Sequence, residues 1–338
     1  AISEFPGDSL PAKAGRRVPR AALAVGCPCE GAPNVHGEAL LRAWRKKAAE
    51  LRRKYREVSG MPSVSRVLAV KPVGQQRLAD STRLEYHVRT GEHTWSNVTF
   101  LRPLGPERPR LTVLCLPGSG SDVGKVEAEF AHEVIREGWN ACIMDARAAL
   151  NPYYPAQNEA MALVNQSLHD LLCCLDWVAG RADVDAKRIA AMGVSQGGTH
   201  SWMVAAMDER IAAAAPVCGV CTYRSLWSEW RTEWYDGAWS SFLDSHSLYY
   251  FTPGILHWAD QQDLCALAAP RPFCLIGGNH DNCFPLSGMR ECNRDLSRLY
   301  DLLGAAKNFR YVEFEGPHSM PLHTRRTAYQ FFREHLGD

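Results

Sequence analysis

Apolar side chains recur at two different spacings along this chain. Over residues 37–58, leucine, tryptophan, tyrosine and valine return every three or four positions, which is the spacing of one buried helix face. Three short segments then partly alternate apolar and polar residues, at 65–73, 83–88 and 95–101, as antiparallel strands do. The pattern therefore predicts a helix followed by the antiparallel opening of a mixed sheet.

Farther along the chain, continuous apolar runs alternate with amphipathic segments. The runs have the length of buried strands and lie at 110–116, 141–145, 189–194, 212–217, 272–276 and 309–314. The amphipathic segments predict helices near 123–137, 158–179, 197–206, 286–303 and 323–335. This alternation is typical of an α/β fold in which a mostly parallel sheet is covered on both faces and binds ligands at the carboxyl ends of its strands.

The first 60 residues are predicted to form a separate unit, because their composition differs from the rest. Residues 1–36 contain nine prolines and glycines, which favours an irregular arm over packed structure. The helix that follows carries eight lysines and arginines between Arg42 and Arg56, mostly opposite its apolar face. A solvated outer face is the ordinary reason for such charge, with nucleic acid or lipid binding as the alternative. The α/β domain is expected over residues 61–338, with this helix clasped onto it.

Composition limits the class of protein. The 338 residues are 46% hydrophobic and 22% charged, as in a globular protein with a sizeable core, and the formal net charge is +1. Near-neutral charge gives no reason to expect nucleic acid or an acidic membrane surface as the partner. The longest apolar runs fall far short of the ~18–20 residues of a membrane span. The sequence does not decide whether the protein forms a homo-oligomer. It also does not decide whether the protein is cytoplasmic or secreted after processing.

The 12 cysteines favour buried thiols over metal chemistry. Two close pairs, at positions 27 and 29 and at 218 and 221, have unlike spacings and lack the register of a zinc site, so no metal is expected. One or two disulfides stay open as an alternative. Three other cysteines fall inside apolar strand-like runs, where unpaired cysteine is usually buried. They are Cys115, Cys142 and Cys274.

The segment Gly193-Val194-Ser195-Gln196-Gly197 carries the strongest chemical signal. It joins a predicted strand to a predicted helix, and in that context G-x-S-x-G marks a turn so sharp that its flanking positions must be almost free of side chain. Such a turn exposes the Ser195 hydroxyl at the carboxyl end of the strand. The sequence thus predicts Ser195 as a nucleophile rather than an incidental serine in a glycine-rich turn.

A serine nucleophile needs a base to remove its proton, and the base needs an acid to orient it. His318 follows the last predicted strand and Asp281 follows the strand before it, so both loops are expected at the same sheet edge as Ser195. The chain order Ser195, Asp281, His318 is also the order used with this nucleophile turn. The weaker alternatives are His280 and His200 as base, and Glu313 and Glu315 as acid.

Two backbone N–H groups are expected to stabilise the oxyanion. Gln196 stands at the N-terminus of the helix that starts beside Ser195, so its N–H is predicted to face an oxyanion formed there. A second donor is expected from the glycine-rich loop 117–121, with Ser119 as first choice and Gly118 as second. An ordinary strand-to-helix turn is the alternative interpretation of this loop.

These residues resemble the α/β-hydrolase superfamily, and within it the branch of acetyl xylan esterases and dienelactone-hydrolase-like enzymes. The similarity covers about residues 110–337 and is carried by 182–198, 207–212 and 278–281. It implies the three-layer sandwich of that superfamily, with the triad and oxyanion donors named above. Pro117-Gly118 stands where the branch usually has His-Gly, and its Arg-Gly-Gln motif is absent, so the resemblance does not extend to acetyl-ester specificity.

An aromatic-rich segment at 222–258 interrupts the alternation. It holds 11 aromatic residues, against 9% for the whole chain, and follows the strand at 212–217, where the superfamily commonly inserts a cap. Aromatic rings suit the faces of sugars and aromatic acids, and they equally suit a cap's own small core. The rings expected to bind substrate are Trp227, Trp230, Trp234, Tyr235 and Trp239.

Together these features predict a serine hydrolase that cleaves carboxylic esters through an acyl-enzyme. Its expected substrate is a small-molecule or saccharide ester, with acetylated sugars among the candidates, and the cycle needs no cofactor. Two alternatives differ in class: a serine peptidase of the prolyl-oligopeptidase type, and a non-catalytic binding protein with a hydrolase fold. Such peptidases usually carry a propeller domain, for which about 100 N-terminal residues are too few.

Overall fold

Nine strands among the described residues form one sheet, which helices cover on both faces. The computed structural model describes residues 37–145, 161–226 and 254–337, together with Thr252. The strands are β1 Ala69–Arg77, β2 Ser81–Arg89, β3 Trp95–Pro103, β4 Arg110–Leu116, β5 Asn140–Met144, β6 Val184–Val194, β7 Ile211–Val217, β8 Phe273–His280 and β9 Phe309–Pro317. The helices are α1 Glu38–Ser59, α2 Val123–Val126, α3 His132–Arg136, α4 Leu163–Ala179, α5 Gln196–Met207, α6 Gln261–Cys265, α7 Leu286–Leu302 and α8 Leu322–Leu336.

The strand order in the sheet is β1-β2-β3-β5-β4-β6-β7-β8-β9. The pairs β1–β2, β2–β3 and β3–β5 are antiparallel, whereas every pair from β5 to β9 is parallel. This arrangement confirms the predicted fold class, a mostly parallel sheet with antiparallel N-terminal strands. Because the strands from β4 to β9 run the same way, the loops that follow β4, β6, β8 and β9 all emerge at one edge of the sheet.

Alternate residues of the central strand β4 belong to two different cores. Leu114 and Leu116 pack in the core that includes side chains of α1, α4 and α7. Val113 and Cys115 pack in the core that includes side chains of α8. All four are buried, so both faces of the strand are covered, which is why its sequence is a continuous apolar run. The fold is therefore a three-layer sandwich.

Helix α1 packs on this sandwich through the apolar face predicted from its spacing. Trp44 is 1% exposed, and its indole Nε1 donates to the backbone oxygen of Ala269 at 3.0 Å. Arg52 donates to the carbonyl oxygens of Ala206 and Leu267, both at 2.7 Å. These bonds join α1 to segments more than 150 positions away, so the helix is an integral layer of the fold.

The structure shifts several predicted boundaries. β6 begins at Val184 rather than at residue 189, because Val184 pairs with Arg110 at the start of β4. The helix predicted over 123–137 contains a π-helical turn at Glu127–Ala131, between α2 and α3. The predicted start of α4, at residue 158, lies outside the described residues.

The structure also bears on two other expectations from the sequence, which concern membrane-spanning helices and free thiols. Within 37–145, 161–226 and 254–337, no helix has the length and apolar character needed to cross a membrane. Cys115, Cys142 and Cys274 are buried thiols outside any disulfide, as predicted, and no disulfide joins the other described cysteines. The remaining pair, Cys27 and Cys29, lies outside the described residues.

We expect Trp44→Ala to lower the free energy of unfolding by about 3–5 kcal/mol, because it leaves a cavity and an unpaired carbonyl beneath α1. Chemical denaturation measures this change. The neighbouring exposed substitution Arg45→Ala is the control, with an expected change within about 0.5 kcal/mol. Equal effects of the two substitutions would contradict an integral role for α1.

Candidate active site

Ser195 stands in a sharp turn between β6 and α5. Its backbone has φ 60° and ψ −121°, a region that L-residues rarely occupy and that costs of order 1–3 kcal/mol. A Cβ atom at Gly193 or at Gly197 would overlap the carbonyl oxygen of Leu116, at the end of β4. Both positions therefore require glycine, as the motif predicted, and the turn is held against the neighbouring strand.

Backbone hydrogen bonds fix the turn on both sides. The Ser195 N–H donates to the Val217 oxygen at 3.0 Å, which ties the turn to the end of β7. The Ser195 carbonyl accepts from the Thr199 N–H at 2.8 Å, which is the first bond of α5. The strained conformation is therefore imposed by the strands and the helix around it.

His318 and Asp281 form a hydrogen-bonded pair in the loops after β9 and β8. The His318 Nδ1 lies 2.9 Å from each carboxylate oxygen of Asp281. The Asp281 side chain is 2% exposed, and its Oδ1 also accepts from the backbone N–H groups of Cys283 and Phe284 at 2.8 and 2.9 Å. Because an ionised carboxylate only accepts, Nδ1 carries the proton and Nε2 is left as the basic nitrogen.

The Phe284 and Cys218 side chains lie beside the His318–Asp281 pair. The Phe284 ring stacks on the His318 ring, with centroids 5.8 Å apart and planes 7° from parallel. The Cys218 Sγ, an Asp281 carboxylate oxygen and a His318 ring nitrogen lie within 4.8 Å of one another. Burial, and to a smaller extent the charge of Asp281, raise the pKa of Cys218, so the thiol keeps its proton. Cys218, Asp281 and His318 together offer three atoms that could ligate a metal ion. The hydrogen bond between the His318 imidazole and the Asp281 carboxylate suits this pair better for proton transfer.

The alternative bases and acids are engaged elsewhere. His280 pairs with Glu315 on the exposed surface, with Nε2 and Oε1 2.8 Å apart. Glu313 forms an ion pair with Arg290 at 2.7 Å. His200 is fully buried in α5, where burial lowers its pKa to about 3 and keeps the ring neutral. Only Asp281, among the acids weighed from the sequence, contacts His318.

The loop after β4 lies beside Ser195, as the sequence predicted for a source of oxyanion donors. A Cβ atom placed on Gly118 would lie 3.1 Å from the Val194 oxygen and 3.7 Å from the Ser195 Cβ. The Ser119 hydroxyl donates to the buried Gln196 side chain, Oγ to Oε1, at 3.1 Å. This bond links the two predicted donor residues across the β4 and β6 loops. Their roles as oxyanion donors stay predictions.

A cavity of about 400 Å³ opens at this edge of the sheet. Both Ser195 and His318 line it, so the structure brings the predicted nucleophile and base to one site. The other described lining residues are Gly118, Ser119, Ser121, Glu129, Val194, Ser319, Met320 and Arg325.

Most of the aromatic-rich segment 222–258 lies outside the described residues. This part includes the rings expected to bind substrate, which are Trp227, Trp230, Trp234, Tyr235 and Trp239. The cap and its substrate contacts stay predictions.

Sequence reasoning missed several of the polar groups in the cavity wall. Glu129 lies on the π-helical turn, and Arg325 lies in α8, seven residues after His318. Each sits on a segment predicted only as an amphipathic helix, where charged residues are ordinary. The single available signal was the closeness of Arg325 to His318 along the chain.

Residues 157–338 match the prolyl oligopeptidase family. The chain belongs to that family. This prolyl oligopeptidase family member is also 29% identical, over 291 residues, to the Bacillus subtilis (strain 168) protein named "Putative hydrolase YtaP". The match covers 79% of this chain and 94% of that protein.

Solved esterase structures share its fold. A glucuronoyl esterase from Solibacter usitatus superposes with a TM-score of 0.69 at 14% identity, covering 88% of this chain and 94% of that one. Acetyl xylan esterase 1 from Thermoanaerobacterium sp. gives a TM-score of 0.62 at 14% identity, with coverage of 87% and 98%. At such identities the likeness shows the fold. Together with the family match, it confirms the resemblance to α/β hydrolases inferred from the sequence.

His318→Ala should slow reaction of Ser195 with an ester by about 10⁴-fold or more, because His318 is the predicted base and, among the described residues, the histidine that lines the cavity with Ser195. Stopped-flow measurement of acylation by p-nitrophenyl acetate tests this. His280→Ala is the matched control, since that imidazole pairs with Glu315 at the surface and should leave the rate within about twofold. A large loss in the control variant, with little loss in His318→Ala, would assign the base to the wrong histidine.

Proposed function

We propose that this protein is a serine hydrolase that cleaves carboxylic esters through an acyl-enzyme. The observation that carries the proposal is the pairing of His318 with buried Asp281 in the cavity that Ser195 also lines. A serine at a strained turn, an imidazole with its Nδ1 held by a carboxylate, and nearby backbone donors are the parts that nucleophilic acyl transfer requires.

The reaction would have two steps, acylation of Ser195 and hydrolysis of the acyl-enzyme, and both steps would use the same catalytic groups. His318 Nε2 accepts the Ser195 proton as Oγ attacks the ester carbonyl, and Asp281 stabilises the resulting imidazolium. The tetrahedral intermediate then collapses, and the alcohol leaves with the proton from His318. Water repeats the sequence on the acyl-enzyme and releases the acid. Every catalytic group in this cycle is a residue of the chain, and the reactants are the ester and water.

The oxyanion of each intermediate would be held by the backbone N–H groups of Gln196 and Ser119, with Gly118 as the next candidate. The Ser119–Gln196 hydrogen bond supports this assignment, because it fixes the two loops relative to each other beside Ser195. Loss of one such donor typically costs about 2.7–4 kcal/mol of transition-state stabilisation.

We infer small or saccharide esters as the substrate class. The solved structures with this fold include proteins named glucuronoyl esterase and acetyl xylan esterase, and such names point to esters of carbohydrates. The polar character of the described cavity wall supports the same class, because long acyl chains bind apolar surfaces. Acetylated sugars are accordingly our first candidate substrates.

A serine peptidase is the second candidate, because the family to which the chain belongs is named for an oligopeptidase. The same triad attacks esters and amides, so the two functions differ in substrate and not in the catalytic groups. Direct comparison of an ester with an aminoacyl anilide separates them.

Ser195→Ala should abolish labelling by a fluorophosphonate probe and lower p-nitrophenyl acetate hydrolysis by about 10⁴-fold or more, because the nucleophile is gone. Labelling of the wild-type protein is read by intact mass, and the far-UV circular dichroism of the variant shows that its fold is retained.

The wild-type protein should turn over p-nitrophenyl acetate faster than an aminoacyl p-nitroanilide. The reverse preference would favour the peptidase. A wild-type protein that is neither labelled nor active on either substrate would be a binding protein, and comparable hydrolysis by Ser195→Ala would reject the nucleophile.

A further inference from the structure

Arg325 presents a fixed guanidinium to the cavity that holds Ser195. Its Nε and Nη2 each lie 2.8 Å from a carboxylate oxygen of Glu133, and its Nη1 donates to the Met320 carbonyl at 2.7 Å. Its side chain is 17% exposed, and it lines the cavity. A guanidinium has five N–H donors, and three of these are used in these bonds to described residues. Three hydrogen bonds therefore hold the Arg325 guanidinium in place, and two of its N–H donors are not used in these bonds.

Glu129 supplies an acceptor to the same cavity. It lies on the π-helical turn Glu127–Ala131, and its side chain is exposed at the cavity wall. On the same turn, Glu127 forms an ion pair with Arg83 at 3.0 Å, which ties the turn to β2. A single π turn inside a helix is often found at functional sites. Here it places an acidic side chain in the wall of the cavity that Ser121 also lines.

The charges at this site favour a neutral ligand over an anion. Burial raises the pKa of Glu133, but the hydrogen bonds from Arg325 and Tyr329, together with the charges of Arg325 and Arg136, outweigh burial and bring that pKa below its ordinary value. The Arg325–Glu133 pair is therefore ionised, and among the described residues of the cavity wall Glu129 adds a further carboxylate, whose charge also acts on Arg325. Hydroxyl groups both donate and accept, so they can bond to a guanidinium and to a carboxylate at once.

We propose that Arg325 and Glu129 form a subsite for the hydroxyl-rich part of a neutral, polyhydroxylated ester such as a sugar acetate. The inference rests on the proposed ester hydrolysis and deepens it by naming the residues that select the substrate. The hydroxyl groups of Ser119, Ser121 and Ser319 extend the same wall and add further partners.

Arg325 also helps to position the base, His318. A test must separate this positioning effect from the binding of the sugar ester. Its bond to the Met320 oxygen holds the segment two residues after His318. A change at Arg325 is therefore expected to slow all esters to some extent. The ratio of kcat/KM between a sugar acetate and p-nitrophenyl acetate removes that common factor, because both substrates use the same triad.

The experiment measures this ratio in Arg325→Met, Glu129→Gln and Arg333→Met, with acetylated methyl xyloside as the sugar substrate. Arg333→Met is the matched control. Arg333 in α8 pairs with Glu137, which directly follows α3, just as Arg325 in α8 pairs with Glu133 in α3, but Arg333 is not among the described residues of the cavity wall. We expect the ratio to fall about tenfold or more in Arg325→Met and Glu129→Gln, which is about 1.4 kcal/mol, and to stay within about twofold in Arg333→Met.

An unchanged ratio in both cavity variants would overturn the subsite, as would an equal fall in Arg333→Met. A wild-type protein that hydrolyses p-nitrophenyl acetate but no sugar acetate would also overturn it, while the proposed ester hydrolysis stood. Failure of the wild-type protein on every ester would refute the proposed function itself. Glu129 is exposed, so Glu129→Gln keeps the test valid if Arg325→Met does not fold.

Discussion

The contact between the Ser195 turn and the end of β4 determines where the chemistry can occur. Gly193 and Gly197 lie so close to the Leu116 carbonyl that no side chain fits at either position. The contact holds Ser195 at a positive φ and also brings the loop that begins at Pro117 against it. Nucleophile and predicted oxyanion donors are thus placed by one packing constraint between two adjacent parallel strands.

The other half of the site depends on a second close approach, between the ends of β8 and β9. A Cβ atom at Gly278 would overlap the backbone of Gly316, and Asn279 accepts a hydrogen bond from the Gly316 N–H at 3.0 Å. The loops that carry Asp281 and His318 therefore leave the sheet side by side. Four strand ends contribute to the site, which explains why residues separated by more than a hundred positions share one cavity.

The sequence predicted those parts of the fold that depend on continuous local signals. β4 has the predicted bounds because its apolar run is buried on both faces. Ser195 was identified from its flanking glycines, which the turn requires because no side chain fits at Gly193 or Gly197. Glu129 and Arg325 were missed because their significance depends on the π turn and on the packing of α8 against α3. The bounds of β6 were missed for a similar reason, since its first residues are fixed by pairing with β4. The aromatic residues 227–239 lie outside the described residues, so their role stays a prediction.

A crystal structure of the fluorophosphonate-treated protein tests the central claim most directly. The account predicts phosphorus bonded to Ser195 Oγ, with the phosphoryl oxygen within about 3 Å of the Gln196 and Ser119 N–H groups and His318 Nε2 within hydrogen-bond reach of the adduct. An adduct on another residue, or one bound to Ser195 with the His318 ring turned away from it, would contradict the account.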